Sequence, residues 1–253
     1  MNKKIKLSFC AVVKDKFSNI KSLIDNVKDL ADEIIIVDSG SEKKIVDYEK
    51  ENADKVFQIP WNNDFAQLRN FAIKHSKGEW ILALDSDETM TEQLKNKIKE
   101  LIENPGKWEG FYFNRIHYID EPHSLKDYWM HLRLYRRHAH YFGAVHESIK
   151  NLQFTKKIKC KDCFILHHNN RGYQRQKSLK YSRYLLDEIK EMESKNDLKM
   201  VEYYKYKLWV QDNLYLLETD KNPNKKLLNI RYKEYEKRKK IIEKKMRNEP
   251  KKT

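Results

Sequence analysis

No stretch of this chain approaches the roughly 20 uninterrupted apolar residues that a membrane-spanning helix needs. The start, Met1-Asn2-Lys3-Lys4-Ile5, runs into a short strand-like segment without a small-residue cleavage site. Neither a spanning helix nor an export signal is expected, and the chain reads as cytoplasmic. Cysteine is scarce: Cys10, Cys160 and Cys163 are an odd number in a chain without an export signal, which argues against a disulfide framework. Glycine is missing from Leu7 to Asn19, so a Gly-rich phosphate loop near the N-terminus is excluded. There is no helix-turn-helix, zinc-finger or RNP-like signature either.

Charge, by contrast, is abundant. The 253 residues are 36% charged and 40% hydrophobic, enough apolar content for one large domain or one domain with a helical extension. The net charge of +14 is unevenly spread, because residues 221–253 hold 14 Lys or Arg against 4 Asp or Glu, a local +10 that leaves +4 for the rest. Such a tail meets a polyanion, either nucleic acid or an anionic membrane, or else forms a solvated helix. A partial apolar stripe of Leu228, Tyr232, Tyr235, Ile242 and Met246 accompanies the charge and favours a helix lying on anionic lipid.

Strand and helix signals alternate over the first third of the chain, with strands at 6–13, 33–37, 55–59 and 79–84 and helices at 19–30, 43–52 and 64–75. This order implies a mostly parallel sheet with helices on both faces, and ligands bind such sheets beyond the carboxyl ends of the strands. Three of those ends carry suitable polar groups: Lys14-Asp15, Asp38-Ser39-Gly40-Ser41 and Asp85-Ser86-Asp87. A helix at 91–103 stops at Asn104-Pro105-Gly106. Residues 110–168 are β-rich, aromatic and basic, and beyond Gly172 the pattern is helical, with Asn222-Pro223 setting off a last basic helix. The resulting boundaries are a domain at 1–172, in halves at 1–90 and 91–172, and a helical extension at 173–253.

The run from Trp80 to Leu84 closes on two carboxylates. Asp85 and Asp87 are at i and i+2, so if extended geometry persists to the tip both point the same way and reach one divalent ion and its bound phosphates. Hard oxygen ligands suit Mg²⁺ or Mn²⁺. The same Asp-Ser-Asp-Glu can instead begin the next helix as an N-cap. Cys160 and Cys163 with His167 and His168 offer four zinc-ligand types, but adjacent histidines do not easily close one tetrahedron with a Cys-x-x-Cys half.

Four segments in order, Ala11-Val12-Val13-Lys14-Asp15, Ile36-Val37-Asp38-Ser39-Gly40-Ser41, Phe65-Ala66-Gln67-Leu68-Arg69-Asn70-Phe71-Ala72 and Leu82-Ala83-Leu84-Asp85-Ser86-Asp87-Glu88, resemble the family-two glycosyltransferases. The resemblance is tight over residues 1–90. It continues through Arg133-Leu134-Tyr135-Arg136-Arg137 and Gly143-Ala144-Val145-His146-Glu147 to His167-His168, and is most similar to bacterial transferases that add glucose-like sugars to lipopolysaccharide cores. It implies a GT-A fold, that is, an α/β, Rossmann-like, mostly parallel sheet flanked by helices, with a C-terminal helical extension outside the match. It also implies an inverting, metal-dependent enzyme that moves a sugar from a nucleotide sugar, UDP-linked, to a glycan, lipid-linked or protein acceptor.

The resemblance implies roles residue by residue. Val13, Lys14, Asp15, Asp38, Ser39 and Gly40 line the nucleotide pocket, Asp38 accepting hydrogen bonds from the base or ribose; the family shows Asn-Glu after the Lys, where Asp15-Lys16 stands here. Arg69 and Asn70 lie near the nucleotide and diphosphate, the alternative for Arg69 being a surface salt bridge. Asp85 and Ser86 meet the sugar nucleotide. Asp87, with Asp85, holds Mn²⁺ or Mg²⁺, with His167 or His168 as a further ligand or, alternatively, a polar strand end. Glu147 is the candidate base, and Asp120, beside Glu121, is its rival. The expected partners are the nucleotide sugar, the acceptor and, peripherally, an anionic membrane. Two alternatives stand beside this reading. One is a non-catalytic nucleic-acid binder, which would leave the strand-tip motifs unexplained. The other is a nucleotidyltransferase of similar sheet topology, whose usual Gly-rich phosphate loop is missing from Leu7 to Asn19. Nucleic acid is not expected as a partner.

Overall fold

Odd and even residues of β1 (Leu7–Val13) serve two different cores. Leu7, Phe9, Ala11 and Val13 pack on the side of α1 (Phe17–Val27), whereas Cys10 and Val12 pack on the side of α3 (Phe65–His75). That alternation is the period-2 geometry of a strand buried on both faces. β2 (Glu33–Asp38) repeats it, with Ile34 and Ile36 in one cluster and Ile35 and Val37 in the other. The computed structural model describes residues 5–14, 16–119, 123–145, 147–169, 171–215 and 225–247.

β1 pairs in parallel with β2 on one side and with β4 (Trp80–Ala83) on the other, and β3 (Lys55–Gln58) pairs in parallel with β2. The order β3-β2-β1-β4 reverses direction between β1 and β4, which opens a crevice at the carboxyl ends. α2 (Lys43–Asn52) joins β2 to β3. The sheet continues from β4 through β7 (His123–Arg136), β6 (Gly110–Ile119) and β11 (Phe164–Asn169) to β5 (Glu88–Met90), with β10 (Thr155–Lys157) beside β6, nine strands among the described residues. β7 runs antiparallel to both of its neighbours and β5 antiparallel to β11. β8 (His140–Phe142) and β9 (Ser148–Lys150) form a separate pair. α4 (Glu92–Glu103) follows β5 and opens on Thr91, whose hydroxyl accepts from the Leu94 N–H at 3.3 Å.

The chain divides into two compact units, residues 1–142 with 147–169, and residues 143–146 with 170–253. In the second, α5 (Arg171–Ser194) and α6 (Leu198–Val210) pack together, a short stretch of wider π-helix (Gln211–Tyr215) follows, and α7 (Lys225–Arg247) packs on α6. Tyr235 stacks on Tyr206 with ring centroids 6.2 Å apart, and the Arg238 guanidinium lies 4.6 Å from the Trp209 ring centre. Tyr235, read from sequence as part of a lipid-facing stripe, is thus taken by α6. Leu228, Tyr232 and Met246 have side chains outside those described. No helix among the described residues is long and apolar enough to cross a membrane.

One expectation is corrected. Cys160 and Cys163 are joined by a disulfide, because a turn with Asp162 at φ 62° brings their Cα atoms to 5.4 Å. An odd cysteine count left room for one local bond, and Cys10, buried, is the free thiol. The pairing also removes both thiolates from the zinc reading.

Candidate active site

β1 and β2 end in register, Val13 opposite Asp38. The Ser39 N–H and hydroxyl both donate to the Val13 carbonyl, at 2.9 and 3.1 Å, and lock the two tips together. Asp38, fully buried, turns its Oδ1 back to accept from the N–H groups of Gly40 and Ser41, each at 3.0 Å. Gly40 sits at φ +119°, a conformation that side chains rarely adopt, and Lys14 Nζ lies 3.6 Å from where its Cβ would stand. Four residues expected at the nucleotide therefore lie together, Lys14 just after β1 and Asp38, Ser39 and Gly40 at the end of β2. Asp15 lies outside the described residues.

Across the crevice, α3 opens on Asp64, whose carboxylate accepts from the Gln67 N–H at 3.0 Å. One turn on, α3 delivers Arg69 and Asn70. Asn70 grips the backbone of Tyr141, donating to its carbonyl at 2.9 Å and accepting from its N–H at 2.8 Å, and so fixes β8 on α3. Arg69 is no surface residue. It is 9% exposed, lies 5.5 Å from the Tyr141 ring centre, donates to Asp85 Oδ1 at 2.6 Å and pairs with Glu147. Tyr141 is itself braced by the Tyr135 hydroxyl at 2.9 Å.

The extended geometry of β4 does not reach Asp87. The strand ends at Ala83 and a turn at Ser86 and Asp87 intervenes, so Asp85 and Asp87 part. Asp85 Oδ2 accepts from Arg133 at 2.7 Å, so both of its oxygens are taken by guanidiniums. Burial pushes the Asp85 carboxyl up, but Arg133 and Arg69 overcome this and hold it well below the usual carboxylate range. Glu88, at 0% exposure, accepts from Arg133 at 2.8 Å and Arg115 at 3.0 Å, and its Oε2 accepts from the Asp85 N–H at 3.0 Å. Arg69, Arg115 and Arg133 thus meet Asp85, Glu88 and Glu147 in one chain of balanced charge, buried except at Asp85, whose side chain is 36% exposed.

Asp87 meets a different partner. The antiparallel register of β11 on β5 sets His167 opposite Glu88, the His168 N–H donates to the Asp87 carbonyl at 2.8 Å, and Asp87 Oδ2 lies 3.1 Å from His167 Nε2. His168 Nε2 instead lies 3.1 Å from the Thr89 hydroxyl, and burial lowers its basicity. Asp87 and His167 present one oxygen and one nitrogen donor side by side; the carboxylate suits Mn²⁺ or Mg²⁺, and the imidazole nitrogen suits the softer Mn²⁺ better than Mg²⁺. Asp85 does not fit, being held by two cations. Among the described residues no three His, Cys, Asp or Glu side chains gather around one point.

Sequence reasoning named Arg69, Asp85, Asp87, Glu147 and His167 without their pairing, and gave no role to Arg115, Glu88 or Arg133. The signal for these was available: a charged residue inside an otherwise core-facing strand, as Arg115 on β6 and Arg133 on β7, demands a buried partner. Asp120 and Glu121 lie outside the described residues.

A strand-tip turn at Asp38–Gly40, a buried arginine on α3 and an acid–histidine pair thus stand on one sheet. Residues 8–181 match the glycosyl transferase family 2, and the chain belongs to that family. The mixed sheet flanked by helices is the GT-A arrangement that the resemblance implies. A glycosyltransferase of Rickettsia bellii is 29% identical over 166 residues, covering 60% of this chain and 56% of that protein. The SPbeta prophage-derived glycosyltransferase SunS of Bacillus subtilis is 29% identical over 149 residues, 55% of this chain and 34% of SunS. The structure of S. aureus TarS 1–349 in complex with UDP aligns with 14% identity and a TM-score of 0.47, over 72% of this chain and 66% of that one. The chain spans between a third and just over half the length of these curated relatives.

Proposed function

We propose that this chain transfers a sugar, with inversion, from a UDP-linked nucleotide sugar to a hydroxyl of a glycan, lipid-linked or protein acceptor. The observation that carries this reading is that Lys14 and the Asp38–Gly40 turn, Arg69 and the Asp87–His167 pair all stand at carboxyl ends of one sheet, on either side of its topological switch point. Asp38 and the turn it shapes receive the base or ribose. A divalent ion held by Asp87 and His167 would neutralise charge on the departing diphosphate. Glu147 takes the proton of the acceptor hydroxyl as that oxygen attacks the anomeric carbon from the face opposite the diphosphate. Arg69, paired with Glu147, orients it. Asp85, clamped between Arg69 and Arg133, positions Arg69 rather than binding the ion.

In the second unit, Ile230, Lys233, Lys237, Lys240 and Ile241 are exposed and recur at helical spacing along α7. That face suits an anionic membrane, where a lipid-linked acceptor would lie. The test is a panel of UDP-sugars with the full chain and Mn²⁺, reading UDP release and, by mass spectrometry, any transferred product. Metal-dependent hydrolysis of one UDP-sugar is the expected result. Failure of every nucleotide sugar to bind or turn over, with the protein folded, rejects the reading.

A further inference from the structure

β5 and β11 form a short antiparallel ladder with a different device at each end. One end sets His167 opposite Glu88 and brings Asp87 Oδ2 to 3.1 Å from His167 Nε2. The other end carries the Cys160–Cys163 disulfide, Cys163 being the residue before Phe164 opens β11. The disulfide closes a turn whose Asp162 sits at φ 62°, in the left-handed region that a non-glycine residue seldom occupies. The Asp162 carbonyl accepts from the Thr91 hydroxyl at 2.8 Å. The Thr91 hydroxyl oxygen in turn accepts from the Phe164 N–H at 3.1 Å and the Leu94 N–H at 3.3 Å, and the Thr91 N–H donates to the Phe164 carbonyl at 3.1 Å. One residue thus ties the disulfide turn to the end of β5, the start of β11 and the first turn of α4. Between it and the ion-holding pair lie only two rungs, Ile165 opposite Met90 and Leu166 opposite Thr89.

The two sulfurs differ in access. Cys163 is 3% exposed, and its Sγ lies 3.6 Å from the Gln93 carbonyl oxygen. Cys160 is only partly buried, and the exposed Lys157, Lys159 and Lys161 are its near neighbours in the chain. Cations so placed favour thiolates over thiols and so favour exchange. We infer that this disulfide is a thiol-exchangeable site that governs the ion-holding end: closed, it keeps β11 seated on β5 and His167 beside Asp87, and opened by a dithiol, it unseats them. In the exchange a thiolate of the dithiol bonds to Cys160 Sγ, the Cys160–Cys163 bond breaks, and Cys163 Sγ leaves with the electron pair and takes up a proton. The second thiolate of the reductant then displaces Cys160 in the same way, so two electrons and two protons pass to the protein and the dithiol departs as a cyclic disulfide. Without its closure the turn gains conformational freedom, Asp162 returns to ordinary backbone angles, and its carbonyl leaves Thr91, on which the ladder is registered. The inference rests on the reading of Asp87 and His167 as the ion-holding end.

The experiment reduces the full chain with dithiothreitol, desalts it under nitrogen so that no free reductant remains to bind metal, and titrates it calorimetrically with UDP, with and without Mn²⁺. Oxidised wild type, reduced wild type and the double variant Cys160→Ser, Cys163→Ser are compared. Iodoacetamide labelling with mass spectrometry reads the freed thiols, and thermal midpoints check folding. Native protein should take label on Cys160 and Cys163 only after dithiothreitol. Reduced wild type and the double variant should lose about three- to tenfold of the Mn²⁺-supported UDP affinity, the effect of one hydrogen bond or so lost at Thr91, while metal-free UDP affinity stays within about twofold. Reoxidation should restore wild type and leave the double variant unchanged. Thr91→Val, with the disulfide intact, should show the affinity of reduced wild type, and Thr91→Ser should keep that of the oxidised protein. If dithiothreitol frees no thiol in the folded chain, if oxidised and reduced wild type bind UDP with Mn²⁺ equally, or if Thr91→Val binds as oxidised wild type does, the inference is overturned while the ion-holding reading stands. No Mn²⁺ enhancement in oxidised wild type overturns the ion-holding reading and this inference with it.

Discussion

Arg69 holds two carboxylates at once, Asp85 at 2.6 Å and Glu147 beside it, while only 9% exposed. Burial works against its charge, but Glu147 and Asp85 outweigh burial and fix the guanidinium in its cationic form. The same contact fixes where the Glu147 carboxyl group stands. Glu147→Gln keeps the shape and removes the basic oxygen. Transfer should fall by about 10²- to 10⁴-fold with UDP affinity retained, read by product formation and calorimetry on the same preparation. Normal transfer by Glu147→Gln together with its loss in Asp120→Asn would move the base to Asp120. At this scale the sequence was legible by residue type but not by partner. Arg69 and Glu147 are 78 positions apart, and Asp87 and His167 are 80. No local periodicity links such pairs.

At the scale of elements, the alternating β and α segments up to β4 were readable to within a few residues, because period-2 and period-3.6 patterns alternate cleanly there and Asp64 and Thr91 mark helix starts. The insertion of antiparallel β7 between β4 and β6 was not readable, since pairing follows from contacts remote in sequence. Nor was the turn at Ser86 and Asp87, which separates the two acids that an unbroken strand would have kept on one face. β6, β7, α3 and the β4–β5 turn are tied by Arg115, Arg133, Asp85, Glu88 and Arg69. Arg133→Ala strips a cation from both Asp85 and Glu88, and breaking a buried network this way costs about 3–5 kcal/mol, to be read by urea unfolding at pH 7. Burial raises both acids, yet Arg133 above all holds each below its ordinary value. Groups so depressed lend stability above the unfolded carboxylate range, about pH 4, and lose it as pH falls further. Wild type should therefore lose stability more steeply than Arg133→Ala as acid is added. Equal acid slopes would show that Arg133 does not hold these carboxylates.

At the scale of the whole molecule, chemistry and surface charge fall in different units. The site residues lie in the first unit and the basic helix α7 in the second. Part of the apolar stripe of α7 is consumed inside its own unit by the Tyr206–Tyr235 stack, so the outward face rests on Ile230, Lys233, Lys237, Lys240 and Ile241. Each Lys near an anionic surface contributes about 1 kcal/mol. Changing Lys233, Lys237 and Lys240 together to Glu should abolish salt-sensitive binding to phosphatidylserine liposomes and leave UDP-sugar hydrolysis within about twofold of wild type. Wild type that ignores such liposomes at low salt removes the membrane role and leaves α7 a solvated helix. The central claim is that Asp87, beside His167, forms the ion-holding end of a nucleotide-sugar site. Calorimetry of UDP with and without Mn²⁺, for wild type and for Asp87→Ala of unchanged thermal midpoint, tests it most directly. Mn²⁺ should tighten UDP binding to wild type by about tenfold or more and leave binding to Asp87→Ala unaltered; equal Mn²⁺ enhancement in the two proteins would contradict the account.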